Sequence, residues 1–318
     1  MVLEKMIGDC FQVDEVCLFQ GGPETAQALL QLPFDHIFFT GSSSVGRKVM
    51  ESASKNLTSL TLELGGKSPT LVHDDCDLLL ASEKIVWGKI MNAGQTCLAP
   101  DYVLVQKSVK EDFVRHFVAV AEHRFVSERS CHIINQNHFD RLTQLIDEAL
   151  QMGAVIRHRG IPSEKDGLGM SPILIEIKGK ALQSQLMQQE IFGPVLPIIE
   201  YDTINEAIQL IQNRPKPLSL YVFTKSKEIF EQVSRRSSSG SLCWNDVISQ
   251  NGVHDLPFGG VGQSGFGAGH GEYGFQAFSH EKAVFKQGPM SWIYHQFYPP
   301  YNQTQIKLFR LFMKLIGI

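Results

Sequence analysis

Apolar and polar positions along the first ninety residues come in short alternating bursts: EVCLFQ, then PETAQALLQL, then HIFFT, then a helical stretch starting near Ser44, then SLTLELGG. Short runs rich in β-branched and aromatic residues, separated by segments with helical spacing, predict βαβ units and a parallel sheet with both faces covered. A second series follows: YVLVQ, a helix near Val109 to Phe125, another near Phe139 to Met152, PILIEI, VLPIIEY, a helix near Asn205 to Asn213, LYVFT, a helix near Lys227 to Ser238, and SLCWN. It predicts a second α/β domain. From Asp255 the pattern stops, because DLPFGGVGQSGFGAGHGEYGF carries eight glycines and is too glycine-rich for the interior of a regular element. This stretch reads as a loop folded back on the first domain, followed by a strand at Ala283 to Lys286. The last thirteen residues, IKLFRLFMKLIGI, set Lys307, Arg310 and Lys314 on one helical face and Leu308, Leu311, Phe312 and Leu315 on the other. Such a helix is too short to cross a bilayer and suits either an interfacial position or packing on protein.

Composition narrows the class. A chain of 318 residues accommodates about two domains. With 29 basic and 33 acidic residues, a net charge of -4 and no basic stripe interleaved with aromatics, nucleic acid is not an expected partner. Six cysteines without a CxxC pair fit a reducing, cytoplasmic setting. The opening MVLEKMIGDCFQ has the pattern of neither a signal nor a transit peptide, so the sequons at Asn56 and Asn302 read as chance matches.

Three stretches carry candidate chemistry. In MNAGQTCLAP, Cys97 follows a small polar run; a lone cysteine is most often a small buried hydrophobe, but Gly94 allows close approach of backbone and Gln95 and Thr96 are poor core residues. On a loop next to a helix start, its thiolate would be favoured by nearby amides. In TLELGGKSP, Glu63 interrupts a strand-like run just before Gly65 and Gly66, where open α/β sheets place their sites; a solvated strand end is the plainer alternative. In FFTGSSSVGR, a strand runs through a glycine and serine turn into a helix, a geometry that aims amides at a phosphate, although neither GxGxxG nor a P-loop is present.

Together with EIFGPVLP (Glu190 to Pro197) and LPFGGVGQSG (Leu256 to Gly265), these blocks, in this order, resemble the aldehyde dehydrogenase superfamily. Ser237 to Asp246 and the FSH at Phe278 to His280 are most similar to its family 3 branch, which includes fatty and medium-chain aldehyde dehydrogenases. The resemblance runs from Val2 to about Phe285, and the spacing of 34 residues between Glu63 and Cys97 matches it. It implies NAD(P)-dependent oxidation of an aldehyde to a carboxylic acid. Cys97 would be the nucleophile that forms a thioester, and Glu63 the base that activates water. Gly41, Ser42 and Gly46 would lie under the phosphates of NAD or NADP, Glu190 would bind the nicotinamide ribose, Phe192 would pack by the ring, and Phe258 would border the aldehyde channel. Core packing is the alternative for both phenylalanines. No metal is implied. A homodimer, and a peripheral membrane contact through the tail that would suit fatty aldehydes, are further implications; no C-a-a-X box adds a lipid.

Two family features have no counterpart: a Trp-Asn-Tyr-Pro-like loop, whose Asn donates to the oxyanion, and a Lys-Pro-Ser-like strand end that binds the adenosine ribose. Loss of one oxyanion donor costs about 2.7 to 4 kcal/mol in a comparable case. The segment from Glu122 to Gln136 is also shorter than usual, and Gly269 stands where the branch commonly has Tyr. The expected fold is therefore α/β, an incomplete doubly wound nucleotide-binding sheet plus a second α/β catalytic domain, with an exposed edge. Its divisions fall at 1–68 (partial dinucleotide-binding), 69–254 (catalytic thiol domain), 255–290 (return loop and oligomerisation strand) and 291–318 (amphipathic tail). The intact motifs suggest missing exons or an incomplete gene model. The second reading is a truncated, weakly active or inactive isoform that binds partners. A serine hydrolase fits poorly, because Gly262-Gln263-Ser264-Gly265 lacks the G-x-S-x-G spacing, and Cys131, His132 and His138 have no recognisable zinc spacing.

Overall fold

The computed structural model describes residues 2–124, 132–161, 167–289, 295 and 297–317, and divides into two units, Met1–Phe278 and Ser279–Ile318. The first unit begins with α1 (Val2–Cys10), α2 (Pro23–Leu29), β1 (His36–Thr40), α3 (Ser43–Ala53), β2 (Ser59–Glu63), β3 (Pro69–Val72), α4 (Leu78–Ile90) and β4 (Tyr102–Gln106). It continues with α5 (Lys110–Arg124), α6 (Gln136–Gln151), β5 (Val155–Arg159), β6 (Ile173–Glu176), α7 (Gln185–Gln188), β7 (Val195–Tyr201) and α8 (Ile204–Gln212). It closes with β8 (Ser219–Phe223), α9 (Lys227–Arg236), β9 (Ser241–Trp244), β10 (Gly265–Phe266) and α10 (Gly271–Ala277). The second unit holds α11 (Gln303–Leu315), whose cap is reciprocal: Asn302 Oδ1 accepts from Gln305 N, and Gln305 Oε1 accepts from Asn302 N.

The strands form the α/β architecture expected from the alternation. Seven of them make one sheet in the order β5-β6-β7-β4-β3-β8-β9, parallel throughout except for β5. Successive side chains of a strand point to opposite faces, so an all-apolar strand must be covered twice. In β8, Leu220 and Val222 join a core with Leu142, Ile208 and Val233 from α6, α8 and α9. Tyr221 and Phe223 face the other way, into a core with Ile85 of α4 and Phe113 and Phe117 of α5. The helices start where side chains satisfy their first amides: Asp77 caps α4, Asn135 caps α6, Thr203 caps α8 and Ser226 caps α9. Each cap contributes about 1 kcal/mol.

The smaller sheet has the order β1-β2-β10, with β1 parallel to β2 and β10 antiparallel to it. Its core is small, centred on Val49, Leu62 and Leu64. EVCLFQ, expected as a strand, forms none: residues 16–20 are irregular, and Phe19 is 62% exposed. An apolar run becomes a strand only where a neighbour completes its ladder, and β1 is paired on one side only among the described residues. Residues 283–286, read as a strand, are likewise irregular. Helix α4 lacks a clear helical period in the sequence because polar Ser82 and Lys89 are buried while apolar Leu79, Leu80 and Trp87 are exposed.

The glycine-rich return stretch is anchored on β2. Gly265 pairs with Glu63 and Phe266 with Leu62, and Leu64 N donates to Ser264 O at 3.1 Å. Gly265 has φ +125°, and a Cβ there would lie 1.9 Å from Leu62 O. Gly265→Ala is therefore expected to destabilise the chain by about 2 kcal/mol or more, read as a lower urea midpoint; an unchanged midpoint would show that this ladder does not constrain the fold.

Candidate active site

Both β1 and β2 end at the same edge, and the predicted residues gather there. Gly41 N donates to Glu63 O at 3.1 Å, joining the turn after β1 to the end of β2. Ser42 caps α3: its Oγ accepts from Val45 N at 3.4 Å and its carbonyl from Gly46 N at 2.9 Å. Gly46 is buried against Leu64, where a Cβ would come within 2.9 Å of the side chain. The Ser42 bond to Val45 is long, and the other amides of the first turn have no intrahelical acceptor by construction, which suits an anionic group.

Glu63 ends β2 only 4% exposed, and among the described residues neither carboxylate oxygen has a hydrogen-bond partner. Burial pushes its carboxyl up to about 7. The glycine-rich stretch crosses over it: Phe258 N donates to Gly269 O at 3.2 Å, Gly269 N donates to Phe258 O at 2.6 Å, and a Cβ on Gly269 would stand 3.8 Å from Glu63 Oε1. Phe258 stacks on His270 with ring centroids 4.9 Å apart. It and Cys97 border the same apolar cluster.

Cys97 does not follow a helix start. Helix α4 ends before it, and the chain then passes through Asn92, Ala93 and Gly94, all left-handed with φ of 50°, 59° and 70°. This turn is strained for Asn and Ala. Gln95 braces it: Nε2 donates to Asn92 O and His132 O, each at 3.0 Å, and Oε1 accepts from Ile134 N at 2.9 Å. A Cβ on Gly94 would meet Gly193 O at 2.3 Å, so only glycine lets the EIFGP loop close on the cysteine turn. Ala99 N then bonds Thr96 O at 2.9 Å, placing Cys97 at the first corner of a reverse turn. Burial, and next the charge of Glu190, push the Cys97 thiol up to about 11; the N–H groups of Cys97 and Leu98 pull the other way, and Glu63 adds to the rise. Amides do favour the thiolate here, but they are the cysteine's own and its neighbour's, and desolvation outweighs them.

Glu190 lies against the backbone of the LELGGK strand end. A Cβ on Gly65 would sit 2.2 Å from Glu190 Oε2. Its carboxyl is pushed up to about 7, chiefly by burial and then by Asp101, against Gly66 N–H, Lys67 and Arg141. Phe192 has φ +50°, a left-handed conformation that an aromatic residue rarely adopts.

The segment before Phe192 is gripped by groups that the sequence did not flag. Lys67 is buried with Asp101 and donates to Leu186 O at 2.8 Å and Gln189 O at 2.9 Å. Asp101 Oδ2 accepts from Ile191 N at 2.8 Å. Arg141 donates to Glu190 O at 3.2 Å and Ile191 O at 2.5 Å, and Arg214 donates to Met187 O. Lys89 is buried nearby and burial brings its ammonium down to about 8. The available signal was the lysine directly after Gly65-Gly66 and the aspartate directly after Pro100, charges set among residues that are otherwise core.

The zinc trio considered from the sequence includes Cys131, which lies outside the described residues. His132 forms a bridge with Gly169, and His138 lies in the first turn of α6, where its N donates to the Asn135 cap. His73, Asp74 and Asp75 have donor atoms within 4.8 Å of one another, but Asp75 is taken up by Thr224 Oγ1, Lys225 N and Ser226 N.

A thiol at about 11 is almost wholly protonated at neutral pH. Alkylation of Cys97 by iodoacetamide, followed by peptide mass spectrometry, should accelerate about tenfold per pH unit from pH 7 to pH 10; a plateau below pH 9 would show a thiol already activated in the resting chain.

The profile of the aldehyde dehydrogenase family matches residues 13–284. The mouse protein "aldehyde dehydrogenase family 3 member A2" is 39% identical over 319 residues, covering 98% of this chain and 64% of its own. The rat protein "aldehyde dehydrogenase, dimeric NADP-preferring" is 43% identical over 286 residues, 88% of this chain and 61% of that one. The chain thus spans less than two thirds of the length of these curated relatives. The solved structure "substrate bound state of Staphylococcus aureus AldH" superposes with a TM-score of 0.84 at 37% identity, covering 98% of this chain and 68% of that one. The motifs, the fold and these matches agree: the chain belongs to the aldehyde dehydrogenase family.

Proposed function

We propose that this chain carries the thiol and water-activating groups for NAD(P)-dependent oxidation of an aldehyde to a carboxylic acid. The observation that carries the reading is the placement of Glu63: a buried carboxylate with unpartnered oxygens, close enough for its charge to act on the Cys97 thiol. The Cys97 sulfur attacks the aldehyde carbon as thiolate, and the N–H groups of Cys97 and Leu98, which already favour negative charge at this corner, are placed to receive developing charge. A bound nicotinamide supplies the hydride acceptor. Glu63, titrating near 7, takes a proton from the water that hydrolyses the thioester.

The residues fit the cofactor. The first turn of α3, opened by Gly41 and Ser42 and packed through Gly46, would hold phosphate oxygens. Glu190 would hold the ribose and Phe192 would flank the ring. Phe258 would border the aldehyde. On this reading 1–68 is the partial cofactor domain and 69–254 the catalytic one. The relative named as NADP-preferring supports NADP beside NAD.

Aldehyde-dependent NAD(P)H formation by the purified chain is the direct test. Cys97→Ala should abolish it, and Glu63→Gln should slow the steady state roughly 10²- to 10⁴-fold while sparing the first-turnover burst. Turnover unaffected in Cys97→Ala would refute the assignment.

We also propose a homodimer and a peripheral membrane contact through α11. The name of the dimeric relative supports the first, and the cationic, apolar helix supports the second. No helix among the described residues is long and apolar enough to cross a membrane. A fatty aldehyde would be delivered from such a surface. Gel filtration, and flotation with anionic vesicles, of the full chain and of a deletion of 306–318 test both: a dimer and loss of flotation on deletion are expected, and a monomer or unchanged flotation would count against them.

A further inference from the structure

Helix α9 ends on Arg235 and Arg236, and the chain leaves it as Ser237-Ser238-Ser239-Gly240 before entering β9. The three hydroxyls are not equivalent. Ser237 Oγ donates to Val233 O at 2.7 Å, closing the helix end, and Ser239 Oγ donates to Ser241 O at 2.7 Å. Ser238 is exposed, and within the described structure its hydroxyl is the one of the three without an intramolecular bond. It faces solvent on an open polar cleft of about 310 Å³ lined by the serines of this segment.

The backbone suits capture by an enzyme groove. Ser237 is extended, with φ -120° and ψ 167°, and residues 237–239 belong to no helix or sheet ladder, so drawing Ser238 outward costs at most the capping bonds of Ser237 to Val233 O and no strand pairing. The two arginines stand three and two residues before Ser238. Arg235 is held by the Glu231 carboxylate at 2.8 Å and Arg236 by the Asn205 amide oxygen, both in exposed contacts that exchange readily for an acidic groove.

We propose that Ser238 is a phosphorylation site for a protein kinase whose acidic substrate groove selects arginines at these two positions. Ser238 Oγ attacks the γ-phosphorus of ATP, and the new O–P bond forms as the bond to the β–γ bridging oxygen breaks. ADP leaves with that electron pair, and the hydroxyl proton passes to the kinase's catalytic carboxylate. The product places about -1.5 to -2 charges just beyond the negative end of α9, where the helix dipole repels them and the flanking arginines attract them. The strain has little room to dissipate. Gly240 N is bonded to Pro217 O at 3.0 Å, and a Cβ on Gly240 would meet Gly259 O at 2.2 Å, so this segment abuts the residue next to Phe258.

The test uses the purified full chain with Mg-ATP and the catalytic subunit of a cyclic-AMP-dependent kinase, read by intact mass and by peptide sequencing. One phosphoryl group at Ser238, none in Ser238→Ala, and a kcat/KM for the kinase reduced about tenfold for each of Arg235→Gln and Arg236→Gln, are expected. Circular dichroism of each variant separates loss of the site from loss of the fold. No incorporation into the folded chain, incorporation at Ser237 or Ser239 instead, or incorporation indifferent to both arginines would overturn the proposal.

Discussion

The buried pairing of Lys67 with Asp101 is the constraint on which the site depends. Removing two charges from water is costly, and such a pair is tolerated only when the remaining protons and lone pairs are also satisfied. Here they are satisfied by the backbone of another segment: Lys67 reaches Leu186 O and Gln189 O, and Asp101 reaches Ile191 N. The pair therefore joins the end of the LELGGK stretch, the turn after Cys97 and the EIFGP loop into one body. Arg141 and Arg214 complete the grip on the same short run of carbonyls. Glu190 and Phe192 have fixed positions because the peptide groups around them have no freedom left.

Rigidity and dryness then set the chemistry. Burial pushes the Glu63 and Glu190 carboxyls up to about 7 by denying their charge the solvation it has in water, and at Glu190 the charge of Asp101 adds to the rise. Cys97 experiences the same dry surroundings in the opposite functional sense, since a desolvated thiol holds its proton. A carboxyl pushed up to about 7 thus lies close enough for its charge to act on a thiol pushed up to about 11, the pairing on which the proposed proton transfer depends.

Much of this was legible in the sequence because the informative residues are misfits in their local setting. Glu63 in an apolar strand and Gly65 and Gly66 after it break the pattern of their element, and Ser42, an ordinary N-cap, marks the turn where a strand runs into a helix. The alternation within LYVFT and VLPIIEY likewise announced strands covered on both faces. The clamp was not legible, because its partners lie 34 to 122 residues apart and nothing local pairs Lys67 with Asp101 or with Gln189. The expectation of a helix start beside Cys97 failed at Ala93, a good helix former held left-handed by the bonds of Gln95. EVCLFQ failed differently, since a strand is a property of two chains and only one is visible in a pattern.

The high proton affinity of Cys97 has a consequence for the chain at rest. Peroxide attacks thiolates, and the path from sulfenic to irreversible sulfonic acid begins only from that form. A sulfur that holds its proton in so dry a turn is therefore spared the oxidative attrition that an exposed thiolate suffers. The burial that raises the proton affinity of Cys97 also guards the thiol against loss between encounters with any electrophile.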